Sequence, residues 1–144
     1  TFFSQLRRRS SLGRPVRIAV LGDSFIEGDI FTSSLRRQLQ ARYGGAGVGW
    51  LPLTSETAGF RRTVRHEFKG WKEHNQLHSK GRYPLPSHYY TGSVGDWARY
   101  TLPKGTRPCS EATIYYKSPS GATLEVSTNG EGSTMVELPA TECV

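Results

Sequence analysis

Val16-Arg17-Ile18-Ala19-Val20-Leu21-Gly22-Asp23-Ser24-Phe25-Ile26-Glu27-Gly28-Asp29 is the stretch from which the rest of the chain is read. It begins as a short, mostly apolar run rich in β-branched residues, the pattern of a strand buried on both faces of a parallel sheet. Gly22 ends the run, and Asp23 and Ser24 follow on the turn. Beyond them Phe31, Leu35, Leu39 and Tyr43 recur every fourth residue, which predicts a helix with one apolar stripe. Asp29 stands where an N-cap belongs, and Gly44 where a helix ends in a left-handed residue. The reading is strand, turn, helix, with a hydroxyl at the carboxyl end of the strand. In open α/β sheets ligands and chemistry gather at that edge.

A serine at the start of a helix has an exposed hydroxyl and an N–H pointing away from the helix body. That N–H can donate to a developing oxyanion, and the positive end of the helix favours the negative charge. Attack on a carbonyl needs in addition a histidine base oriented by a carboxylate. The plainer alternative is that Ser24 caps the helix or shapes the turn, a common job for serine in such a place.

Ile18-Ala19-Val20-Leu21-Gly22-Asp23-Ser24-Phe25 resembles the first block of the SGNH, or GDSL-like, hydrolase family. The likeness runs on through Leu35-Arg36-Arg37-Gln38-Leu39-Gln40 to Gly44-Gly45-Ala46-Gly47-Val48-Gly49. It is similar there to a bacterial branch of carbohydrate esterases and peptidoglycan O-acetylesterases. It covers residues 14–52 and is weak elsewhere. The resemblance implies that Ser24 is the nucleophile, that its N–H is one oxyanion donor, and that Asp23 supports the turn. It implies as substrate an acylated, above all O-acetylated, polysaccharide or peptidoglycan, and a periplasmic or secreted location. The family also uses a second-block glycine, an asparagine in Gly-x-Asn-Asp, and a late Asp-x-x-His. None of these motifs occurs in the chain. The remaining catalytic residues, and the C-terminal half of the catalytic domain, are therefore expected outside it, and these residues alone are expected to be nearly inactive.

From about residue 55 the pattern changes to short β-like runs. Residues 62–69, the alternation Ala98, Tyr100, Leu102, then Ala112, Ile114, Tyr116, then Ala122, Leu124, Val126, and finally Val136 and Leu138 each predict a strand. Pro119-Ser120-Gly121 and Asn129-Gly130-Glu131-Gly132 are turn signals between them. Regular short strands with Gly and Pro turns predict an antiparallel, jelly-roll-like β-sandwich. The expected fold class is thus α/β: residues 1–54 form the first strand and helix of a three-layer, flavodoxin-like SGNH domain, and residues 55–144 an inserted sandwich. The other strands of the parallel sheet are then expected downstream or in another chain. Residues 1–14 read as a short amphipathic helix and linker, with Phe2, Phe3 and Leu6 on one side. The glycine-rich run 44–49 lacks a strand before and a helix after it, which excludes a dinucleotide fingerprint.

The net charge of +7 comes from separate clusters such as Arg7-Arg8-Arg9, Arg36-Arg37 and Arg61-Arg62, without a nucleic-acid reading motif, so no nucleic acid partner is expected. Cys109 and Cys143 have no Cys-x-x-Cys spacing, and whether they pair stays open. His74 and His78 lie four apart in a very polar run without a third ligand, and His66 and His88 stand alone, so no metal or cofactor is expected. No apolar run is long enough for a transmembrane helix. Aromatics crowd the second part; Tyr100 and Tyr116 are expected in the core, whereas Tyr83, Tyr89 and Tyr90 are candidates for stacking on a glycan. Two functions follow: a serine esterase on an acylated glycan, or a non-catalytic glycan-binding module.

Overall fold

The computed structural model describes residues 1–142, so Cys143 lies outside the described residues. The chain forms two compact units, Thr1–Ser110 and Glu111–Val144. The boundary expected near residue 54 falls inside the first unit, because the segment that follows the main helix is bound by the strands that come after it. The first unit holds helices α1 (Phe2–Arg7), α2 (Ser24–Glu27) and α3 (Thr32–Tyr43), then strands β1 (Arg65–Lys69), β2 (Lys72–Asn75), β3 (His88–Thr91) and β4 (Trp97–Thr101). The second unit is built on β5 (Ala122–Thr128) and β6 (Glu131–Leu138). The class is mixed α/β, with three two-stranded antiparallel sheets pairing β1 with β4, β2 with β3 and β5 with β6.

Residues 16–21, expected as a strand, carry no regular secondary structure and join none of the three sheets. Leu21 is 72% exposed, and Ile18 is exposed as well. A strand exists by its ladder, and none of the three sheets offers these residues a neighbour. The helix beyond the turn forms as its periodicity predicts, but its stripe is not sunk in a core: Phe31 and Leu35 are exposed, while Leu39 and Tyr43 are half-buried. Gly44 ends it with φ 82°. Phe31, not Asp29, occupies the cap position.

The four strands of the first unit are two segments of one long hairpin. Lys69 faces Trp97, and three residues on Lys72 faces Thr91. Only Gly70 and Trp71 separate β1 from β2, whereas residues 92–96 separate β3 from β4, so the longer arm must loop out. Asp96 closes that loop by accepting from the Ser93 N–H at 2.6 Å. Gly70 lies against the Asp96 carboxylate at φ 88°, and Gly92 lies against the Trp71 ring, so neither position has room for a Cβ.

The inner face of this hairpin grips residues 52–54. Tyr100 Oη donates to the Pro52 carbonyl at 2.7 Å, His66 Nε2–H to Leu53 at 3.1 Å, and Tyr90 Oη to Thr54 at 3.0 Å. Three consecutive carbonyls without strand partners are thereby satisfied by side chains, at roughly 1 kcal/mol net each. Apolar burial is sparse: Leu6, Val48 and Val64 are the buried hydrophobic residues among those described, Val64 at 1%. Buried hydrogen bonds therefore do much of the positioning that a larger core would otherwise do.

In the second unit the Asn129-Gly130 turn has φ of 56° and 74°, the primed geometry that matches strand twist. Its hairpin keeps one register until an irregularity at Ser127/Thr128. Residues 112–116, expected as a strand, belong to none of the three sheets. The segment after them is tied instead through Ser118 and Thr141, whose backbone and hydroxyl groups bond each other, and Tyr116 Oη donates to Pro139 O at 3.2 Å. Tyr100 and Tyr116, expected in the core, remain partly exposed because each ring lies at a margin with its hydroxyl tied to a carbonyl.

Candidate functional site

The Gly22-Asp23-Ser24 turn passes directly into α2. Asp23 has extended backbone angles, and its Oδ1 accepts from the Phe25 N–H at 3.0 Å, so it caps the helix. Ser24 is the first helical residue, and its carbonyl accepts from the Gly28 N–H at 2.8 Å. Ser24 is exposed, and among the described residues neither its hydroxyl nor its own amide N–H carries a hydrogen bond. Both groups are open to an approaching carbonyl.

The carboxyl end of α2 is fastened from below. Ser55, buried, donates from Oγ to Glu27 Oε1 at 2.7 Å, and accepts from the Thr57 N–H at 3.2 Å. Two residues on stands Asp29, 4% exposed, with φ 59°. Asp29, expected as a helix cap, is instead the hub between α3 and the segment that leads into β1. Its Oδ1 accepts from Thr32 Oγ1, and its Oδ2 accepts from Thr63 Oγ1 at 2.6 Å and from Arg36. Arg61 lies 3.8 Å from the same oxygen. Burial alone would raise the Asp29 carboxyl, but the bonds from Arg36, Thr32 and Thr63 and the Arg36 charge outweigh it and hold it below its ordinary value. Asp29 is thus an ionised structural anchor. Its signal in the sequence was the spacing to Thr32 and Arg36 on the same helical face, but Thr63 and Arg61 lie too far along the chain to be foreseen.

Arg61 donates to the Val48 carbonyl at 2.9 Å, and its side chain is 8% exposed. Burial lowers its affinity for the proton and the Asp29 charge opposes that shift. Beside it His66 is pulled below its ordinary value by burial, partly countered by the Leu53 carbonyl, with Arg61 repelling the proton further. Neutral His66 with the proton on Nε2 is the form that bonds Leu53. Arg61 and His66 line an open cleft of about 460 Å³ in the first unit. With Ala58 they also line a crevice, too narrow for a water molecule, whose wall includes Glu27. Ser24 and Glu27 are the two ends of α2, about 5 Å apart along its axis.

Of the candidate glycan residues, Tyr89 is exposed and stacks on His74 with centroids 4.7 Å apart and planes at 7°. Tyr83 leans on Tyr89 at 5.8 Å. Tyr90 lies on the opposite face of β3, half-buried, with its hydroxyl on Thr54; burial, and then the Glu73 charge, push its phenol well above the ordinary range. It joins the hairpin to the 52–54 strip rather than the Tyr83 and Tyr89 pair. His74 and His78 do not share a helix, and no group of three or more His, Cys, Asp or Glu comes together among the described residues. No helix among them is long and apolar enough to cross a membrane. Comparison with protein-family models, curated proteins and solved structures finds no match to the chain.

Proposed function

We propose that these residues belong to a serine acyl hydrolase of the SGNH type that removes an O-acyl group, above all acetyl, from a glycan. The observation that carries the reading is Ser24: a free hydroxyl and a free amide on one residue, at the start of a helix whose turn Asp23 holds. In the reaction Ser24 Oγ attacks the ester carbonyl while a base takes its proton. The Ser24 N–H then donates to the oxyanion, the tetrahedral adduct expels the sugar hydroxyl, and water releases the acyl group from serine. The histidine base, its aspartate and the oxyanion asparagine belong, on this reading, to parts of a flavodoxin-like domain outside residues 1–144. Residues 55–144 would then be the inserted β-sandwich, a module that presents substrate.

A second reading, a non-catalytic glycan-binding module, has its own support in the exposed Tyr89 flanked by His74 and Tyr83, since sugar faces stack on such rings. Hydrolysis of a small acetyl ester by the full-length protein, compared with its Ser24→Ala variant, separates the two. Loss of turnover with folding intact supports the esterase, and unchanged turnover removes it.

A further inference from the structure

The cleft of about 460 Å³ is of a size that holds a ligand of one or two rings. Arg61, Arg62 and Arg65 line it, and no acidic residue does. Val64, Leu102 and Pro103 supply apolar surface beside them. Two of the cations have acidic neighbours that do not line the cleft: Asp29 lies 3.8 Å from Arg61, and Glu67 2.9 Å from Arg65. Arg62 makes no ion pair among the described residues. Arg61 is held by the Val48 carbonyl, and its Nε–H is buried without a partner among the described residues. A guanidinium already fixed in place loses little freedom on binding, and its fork suits an oxyanion.

We infer that this cleft binds the carboxylate of an acidic sugar, with the arginines taking the oxyanion and the apolar residues taking the ring. The choice of a sugar rests on the proposed glycan function, whereas the choice of an oxyanion rests on the arginines alone. The cleft shares Arg61 and His66 with the crevice that Glu27 walls.

Calorimetry on the 144-residue chain at low salt tests this with methyl glucuronoside, methyl glucoside and inorganic phosphate. The glucuronoside is expected to bind at least tenfold more tightly than the neutral glucoside. An Arg62→Gln, Arg65→Gln double variant is expected to lose at least tenfold of that affinity with its melting temperature unchanged, both side chains being exposed. Amide shifts in the wild-type chain should concentrate at residues 58–66 and 101–103. Equal binding of the two sugars, a double variant that binds as before, or shifts elsewhere would overturn the inference. Phosphate binding as tightly as the glucuronoside would overturn its sugar half. Ser24→Ala is expected to bind the glucuronoside as the wild type does, so failure of the esterase reading and failure of this one are distinguishable.

Discussion

Replacing Asp29 by Asn keeps the shape of the side chain and tolerates φ 59°, since asparagine accepts the left-handed region readily, so the change removes the charge and one acceptor. Three donors now converge on the carboxylate, from Thr32, Thr63 and Arg36, with Arg61 at 3.8 Å. An amide nitrogen cannot accept, so at least one donor is stranded and two guanidinium groups lose their counter-charge. Breaking a buried pair by removing one partner costs about 3 to 5 kcal/mol, and the partial exposure of Arg36 argues for the lower end. A loss of about 3 kcal/mol lowers the melting temperature of a unit this size by about 10 °C. Urea titration followed by circular dichroism at pH 7 reads the difference directly. Because the folded carboxyl lies below its ordinary value of 3.8, its contribution is complete above that pH and fades as the pH falls through the folded value. Wild type and variant should therefore converge in acid. A variant within 0.5 kcal/mol of wild type at neutral pH would refute the anchoring role.

His66 gives a second pH dependence of the same sign. Its folded value lies below 6.5, so the unfolded chain binds the proton more readily and stability falls as the pH drops below about 6.5. His66→Gln should flatten the denaturation midpoint between pH 7.5 and 5.5, and an unchanged slope would show that another group titrates there. Gly92→Ala would drive a methyl group into the Trp71 ring at the step between the two halves of the hairpin. It should destabilise by about 2 kcal/mol, with a loss of near-ultraviolet dichroism from tryptophan, and a neutral effect would contradict the packing described.

Local sequence signals proved sound where the cause is local. The period of α3, its glycine end at Gly44, and the primed Asn129-Gly130 turn all depend on residues a few positions apart, and the structure carries each. Residues 16–21 have the composition of a buried strand, but composition cannot supply the neighbouring strands that a ladder requires. Alternation in the sequence marks β4, β5 and β6 as strands, while which strand pairs with which, and in how many layers, depends on contacts far apart in sequence. At the candidate site the Asp23 and Ser24 turn was legible as a motif. The Asp29 hub was not, because Arg61 and Thr63 reach it from more than thirty residues away, along a loop whose course is set by hydroxyl and imidazole bonds to carbonyls. Tyr90 illustrates the same limit: beside Tyr89 in sequence, it faces the other way by strand alternation and is committed to Thr54.

The central claim is that Ser24 attacks an ester, and the most direct measurement is kcat/KM for a small acetyl ester with the full-length protein and with Ser24→Ala. Removing an exposed hydroxyl should leave the unfolding free energy from urea titration within about 0.5 kcal/mol of wild type while kcat/KM falls by at least about 10⁴-fold. A variant that hydrolyses the ester at the wild-type rate would contradict the account.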